Sequence, residues 1–423
     1  MRTRISNLRA LLYILLVFPF IEPQYIQSNL SLLHYAYVLL RAVDVTIIVM
    51  NVVAHYKIYT PSKSLKIILI YNLWLLINTF IHGGSVLYAL TSVLSSVILC
   101  LIIDYYLRKD TTGIINGLAI VLEAYVLINF ICILLYPNGM YKSLNPALGY
   151  VSSNWFLGYK NPQIRVILPA VATVLIRNYI KNEFLNICSI MFLLIGILSA
   201  IFVDSGTATL GIIIFAAAIF YFNTFNESRV LSIRNIAILA IMVLIGILAF
   251  NFQEYFSSFF ENILQRDVTL TGRTIIWVRY LDYMGRQHYL GSGIMESSEM
   301  FRLFGTSHPH NYFLYILLQG GILGMLIIIY LILTVSKKQK KHLYSNTSHV
   351  LICCIAAFLI MGLTESLTEC VMLYPLFVLA GNIDYLQEAE NKREHKQTLF
   401  GLLLPNLRKK NKGDINDRNC NSI

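Results

Sequence analysis

A chain of 423 residues that is 57% hydrophobic and 13% charged, with a mean hydropathy of +0.65, is not a soluble globular domain, whose surface needs far more charge. Apolar runs of helix-spanning length recur from end to end, which marks an all-α polytopic membrane protein. The net charge of +11 invites nucleic acid as a partner, but its distribution argues for membrane topology instead.

The first apolar run, 8–21, follows Arg2, Arg4 and Arg9. A signal peptide would need a small-residue cleavage site next; Phe18-Pro19-Phe20-Ile21-Glu22 stands there, so the run reads as an uncleaved first helix. On the ~20-residue criterion there are about twelve spans, near 8–22, 30–54, 65–82, 85–107, 114–136, 164–180, 184–203, 207–222, 231–251, 312–335, 350–366 and 370–386. Arg41 and Asp44 share a helix face inside the second span; they are either functional or a mutually neutralising pair. Glu123, in the fifth span, has no local partner, and burial would favour its protonated form.

Alternate connections hold most of the 33 lysines and arginines. The rich ones carry Lys57, Lys63 and Lys66; Arg108 and Lys109; Arg177 and Lys181; Arg229 and Arg234; Lys337, Lys338, Lys340 and Lys341; and a tail with Lys392, Arg393, Lys396, Arg408, Lys409, Lys410, Lys412 and Arg418. The positive-inside rule then puts both termini in the cytoplasm and residues 252–311 outside. The chain divides into a transmembrane bundle of about nine spans (1–251), an extracytoplasmic loop (252–311), C-terminal spans (312–386) and a basic cytoplasmic tail (387–423) attracted to anionic lipid. The seven cysteines lie in spans, at a span end or in the tail, with no readable disulfide framework. No Gly-x4-Gly-Lys loop occurs, which argues against a nucleotide-driven pump.

The outer side begins with a loop over 136–163 that carries Lys142 and Lys160, with Arg165 just beyond it. Asp204-Ser205-Gly206-Thr207 marks the outer end of the seventh span, and Glu365 and Glu369 lie between the last two, on one helix face or astride the turn. The long loop contains Arg266, Arg273, Arg279, Arg286 and Arg302 and no lysine. Guanidinium forks bind phosphate oxygens in pairs and stay charged in a partly dry site, so this bias suits a diphosphate. From Thr271, a plausible N-cap, a helix is expected with Arg273, Trp277, Tyr280 and Met284 on one face. Asp282 can pair with Arg279 and Arg286 on the other. Arg273 has no carboxylate on its face, and Trp277 one turn on can stack over it. His308 and His310 flank Pro309 without a neighbouring carboxylate or cysteine to complete a metal set, so proton transfer suits them better.

Gly272-Arg273, Trp277, Gly291-x-Gly293, His310-Asn311-x-x-Leu314 and Gly320-x-x-x-Gly324, spread over 269–333, resemble the O-antigen ligase and polymerase superfamily of bacterial membrane glycosyltransferases. Upstream, Gly158-Tyr159-Lys160-Asn161-Pro162-Gln163, followed by Arg165, resembles the family's Gly/Asn-Pro-Asn stretch. Gly206 stands where many relatives carry an arginine after the serine. The resemblance implies the membrane glycosyltransferase fold, with one long, partly helical extracytoplasmic loop, in a bacterial inner membrane. It also implies a donor glycan on polyprenyl diphosphate, transferred on the outer face without nucleotide sugar.

Such a donor carries its own leaving group, so catalysis needs positive charge on the departing diphosphate and a base on the attacking hydroxyl. Arg273 and Arg165 take the first part and His310 the second, with Glu365 or Glu369 as the alternative base. Lys160, Arg279, Arg286, Trp277 and Asn311 complete the expected binding residues. Arginines on the diphosphate leave no need for a metal, there is no Asp-x-Asp, and no cofactor is expected. Expected partners are the lipid-linked oligosaccharide, membrane lipid, a flippase and a chain-length regulator, and no nucleic acid. Three reactions stay open: a polymerase of repeat units for a capsular, exo- or O-antigen polysaccharide; a ligase moving finished glycan to a lipid A core or other acceptor; and a flippase. In their irregular, aromatic-rich, Ile- and Asn-rich character the loops and spans resemble the polymerases of the family, so the resemblance implies the polymerase first. A flippase would share the spans and buried ions, but no internal repeat is readable.

Overall fold

The computed structural model describes residues 2–145, 150–181, 186–225, 232–250, 273–287, 289–367 and 370–392. Arg229, Arg266, Thr271, Gly272, Glu369 and the tail from Arg393 onward lie outside the described residues. In chain order the helices are α1 (Arg2–Val17), α2 (Gln24–Asn29), α3 (Ser31–Ala54), α4 (Lys63–Ile81), α5 (Val86–Leu135), α6 (Ile164–Ile180), α7 (Ile187–Phe202), α8 (Gly206–Phe225) and α9 (Ile233–Phe250). They continue with α10 (Arg273–Gln287), α11 (Ser297–Phe304), α12 (Tyr312–Gln339), α13 (Asn346–Met361) and α14 (Leu373–Gly381), and residues 383–392 are also helical.

Among the described residues α3, α4, α5 and α12 are long and apolar enough to cross a bilayer, and Arg9–Phe20, Ile187–Phe202, Gly206–Phe222, Ile233–Gly246 and Asn346–Met361 are shorter apolar helices. Helices of this kind satisfy their backbone internally, as a lipid surrounding demands, so the protein is an integral membrane protein. A straight helix as long as α5, with 50 residues, would extend ~75 Å, more than twice the ~30 Å hydrocarbon layer. It breaks at Asp110 (φ −153°, ψ 78°), whose carboxylate caps the Gly113 N–H at 2.9 Å, between the two expected spans 85–107 and 114–136.

The all-α expectation needs one correction. The connection between α5 and α6 forms a three-stranded antiparallel sheet, β1 (Tyr141–Asn145), β2 (Tyr150–Trp155) and β3 (Gly158–Tyr159), in that order. Beyond the end of a span the backbone must find new hydrogen-bond partners, and here it finds them in itself.

Two intramembrane charges also pair differently from expectation. Arg41 ignores Asp44; its Nη2 pairs with Glu22 and its Nε donates to Pro19 O at 2.6 Å. Asp44 is buried with Oδ2 unpartnered. Glu123 does have a partner, Arg177 Nη1 at 2.8 Å, reached across from α6.

Polar knots tie the helices together at the lysine-rich end. Buried Asp104 accepts from Tyr59 Oη (2.7 Å), Asn382 Nδ2 (2.8 Å) and Ser62 N (3.2 Å), with Arg108 3.7 Å away. Buried Glu390 accepts from Ser345 Oγ (3.0 Å), Asn346 Nδ2 (3.0 Å) and Thr347 Oγ1 (3.1 Å), placing a carboxylate at the N-terminus of α13. The candidate site lies at the other ends of these helices.

Candidate active site

Helices α10 and α11 share a small core with the start of α12. Trp277, Tyr280 and Met284 lie buried on one face of α10, as the helical spacing predicts, and pack with Met295, Met300, Phe304, Leu314 and Leu318. Tyr280 stacks on Phe304 with ring centroids 3.9 Å apart. The Trp277 indole N–H donates to Pro309 O at 2.8 Å, which fixes the backbone just before His310.

A second anchor holds this unit to the bundle. α12 is broken at Gly321 (φ 62°), and residues 289–294 wedge into the break. Ser292 N donates to Leu318 O (2.7 Å), Gly293 N to Gln319 O (2.9 Å) and Ile322 N to Tyr289 O (2.9 Å), so the carbonyl and amide groups freed by the break are met. Three side chains of α4 complete the clamp. Trp74 Nε1 donates to Gly320 O (2.7 Å), Asn78 Nδ2 to Gln319 O (2.7 Å) and Leu290 O (3.0 Å), and Thr79 Oγ1 accepts from Ile294 N (2.8 Å). Sequence reasoning missed these three; the signal was a polar pair, Asn78-Thr79, at the end of an apolar span.

At the lysine-poor end four segments converge. Arg273, in the first turn of α10, places Nη2 3.2 Å from Glu365 Oε1. The same oxygen accepts from Asn161 Nδ2 at 2.9 Å, and Asn161 Oδ1 accepts from Ser205 Oγ at 2.9 Å. Asn311 caps α12 through Leu314 N (3.0 Å) and donates to Leu363 O (2.9 Å), while Tyr312 N donates to Gly362 O (2.7 Å). These bonds hold His310 beside the 361–367 turn. Behind it the 157–163 segment is pinned by Asn129 of α5, which accepts from Leu157 N (2.9 Å) and donates to Gln163 Oε1 (2.9 Å). Buried Arg165 follows directly.

His310 is half-buried, with its ring 4.1 Å from that of His308 and its Nδ1 without a hydrogen-bond partner. Burial, then the neighbouring His308, Arg273 and Arg165, push its pKa down to about 2, so the imidazole is neutral at pH 7. Its backbone is strained, with φ 50°; Asp204 (φ 53°) and Leu367 (φ 51°) are the other non-glycine residues in the left-handed region among the described residues. All three neighbour this one site, and side-chain-bearing residues hold that conformation only when their surroundings impose it.

The expected residues therefore sort by place. Arg273, Arg165, His310, Glu365 and Asn311 come together, and Lys160 stands nearby, 3.5 Å from exposed Asp204. Arg279 instead donates to Phe304 O (3.3 Å) at the C-terminus of α11, and Arg286, 74% exposed, pairs with Asp282 at 2.9 Å. Glu369 lies outside the described residues. Among the described residues no group of three or more His, Cys, Asp or Glu side chains is placed to hold a metal ion.

A family model described as O-antigen ligase matches residues 190–329. The match supports the O-antigen ligase and polymerase superfamily over this segment. Its members are glycosyltransferase-like membrane enzymes. The superfamily segment runs from α7 into α12 and includes Ser205, Arg273, His310 and Asn311. Asn161, Arg165 and Glu365 lie outside it in sequence, yet pack around it. No curated protein matches the chain.

Proposed function

We propose that the protein polymerises lipid-linked oligosaccharide repeat units, transferring glycan from polyprenyl diphosphate to a sugar hydroxyl at the outer face of a bacterial inner membrane. The observation that carries this reading is the convergence of Arg273 and Arg165 on an unprotonated His310. Two guanidinium groups match the two phosphates of the leaving group, and a neutral imidazole with an unpartnered nitrogen is the state a base must have before it acts.

In the reaction the acceptor oxygen attacks the anomeric carbon, and the bond from that carbon to the diphosphate oxygen breaks. The bonding electrons leave with the diphosphate, where Arg273 and Arg165 offset the charge, and the hydroxyl proton passes to His310. A bound diphosphate would also oppose the arginines' effect on His310 and raise its pKa, so the donor itself strengthens the base. Diphosphate must displace Glu365 from Arg273; Asn161 then keeps the carboxylate in place beside the acceptor.

The test is purified protein with its lipid-linked repeat unit, no nucleotide sugar and a chelator, with products resolved by size. A ladder is expected. One discrete adduct on a separate acceptor would make the enzyme a ligase, and loss of activity on chelation would remove the metal-free scheme.

A further inference from the structure

The β1–β2 hairpin faces the wrong way for a sheet in water. Pairing sets Leu144 opposite Val151 and Lys142 opposite Ser153 on one face, where a lysine stem can lie along apolar surface with its ammonium in water, and Ser143 opposite Ser152 with Tyr141 opposite Asn154 on the other. On the second face Asn154 Nδ2 donates to Ser143 Oγ (2.8 Å), the Ser143 and Ser152 hydroxyls are 3.0 Å apart, and the Tyr141 ring packs 5.4 Å from Tyr25. Ser152 and Asn154 are only 8% and 1% exposed, whereas Leu144 and Val151 are 68% and 57% exposed. A sheet with one face in water shows the reverse.

The preceding element identifies the surroundings. The last turns of α5, a helix long and apolar enough to span the bilayer, expose Ile131, Leu134 and Leu135. The hairpin is fastened at the end of that lipid-facing strip, with Trp155 Nε1 on Tyr136 O (2.8 Å) and Met140 N on Asn154 O (2.7 Å). β2 then pairs with β3, Asn154 opposite Tyr159 and Trp155 opposite Gly158, so Lys160 and Asn161 follow at once.

We propose that the β1–β2 hairpin rests on lipid, with Leu144 and Val151 in the bilayer interface, and that this contact sets the height at which Lys160, Asn161 and Arg165 meet a lipid-borne diphosphate. The second clause rests on the function proposed above; the first does not.

Single cysteines replacing Leu144 or Val151, in a background without native cysteines, would carry a fluorophore in vesicles of phosphatidylglycerol and phosphatidylethanolamine. Spin-labelled lipid should quench both as it does a label at Leu135→Cys, and aqueous iodide should quench neither as it does one at Arg286→Cys. Quenching by iodide and not by lipid, or protection from both by a second copy, overturns the proposal. The double variant Leu144→Asp/Val151→Asp should lose at least about tenfold in turnover of the lipid-linked donor, and Leu144→Ile/Val151→Ile should keep it. Lipid quenching with turnover unaffected by the Asp pair overturns the height clause alone. A wild type that quenches as expected but transfers no glycan sinks the proposed function and leaves the lipid contact standing.

Discussion

His310 shows how far a side chain departs from its solution behaviour once its neighbours are assembled. An exposed imidazole titrates near pH 6.5; here burial, then His308, Arg273 and Arg165, lower the value to about 2. The kcat/KM profile reports the free enzyme, so its acid limb should stay level from about pH 8 down to about pH 5. The kcat profile reports the complex, where the diphosphate raises the pKa, so that limb should turn down at higher pH. Coincident limbs near pH 6.5 would show that neither burial nor the arginines depress this ring. The unfolded chain binds a proton below about pH 6.5 that the folded chain refuses, so folded-state stability is complete above that pH and falls below it. A melting temperature that drops between pH 7.5 and pH 5, and drops less in His310→Gln, checks the sign. The same variant should lose about 10²–10⁴-fold in kcat. Arg273→Lys keeps the charge but not the fork, and should raise KM for the donor about tenfold or more. That Arg273 stands apart from Asp282 was legible, because the two lie on opposite faces of one helix. Its partner Glu365, from a segment 92 residues away, was not, since helix periodicity speaks only of neighbours along one helix.

Helix α10 was legible by face and illegible by purpose. The spacing puts Trp277, Tyr280 and Met284 on one face, and the structure buries all three, yet only packing turns Trp277 toward Pro309. The glycine pattern behaves the same way. Gly291 and Gly321, 30 positions apart in sequence, meet where the 289–294 wedge enters α12. A Cβ on Gly321 would lie 2.2 Å from Leu290 C, and one on Gly291 2.4 Å from Gly321 N. Both positions also hold positive φ. Gly321→Ala should therefore destabilise the protein by about 2–4 kcal/mol, read as a lowered melting temperature in detergent, through the clash and the conformation together. The small sheet between α5 and α6 was invisible to hydropathy, which finds spans and leaves everything else as connection.

Across the molecule the two ends divide the work. One end carries most of the lysines and arginines with the Asp104 and Glu390 knots; the other carries Arg273, Arg165, His310 and Glu365. If the lysine-rich end is cytoplasmic, a membrane-impermeant thiol reagent should label Arg286→Cys in intact cells and reach Lys340→Cys only after the membrane is opened. The opposite pattern would turn the topology over and remove the outer-face reaction. Composition alone determined that this chain lives in a membrane, because lipid imposes long apolar helices, and its motifs pointed to the superfamily whose model matches residues 190–329. Tertiary structure decided the pairings: Arg41 with Glu22, Glu123 with Arg177, Arg273 with Glu365, the α4 clamp on the wedge. Each joins residues distant in sequence, and only the packing of helices determines which of them meet.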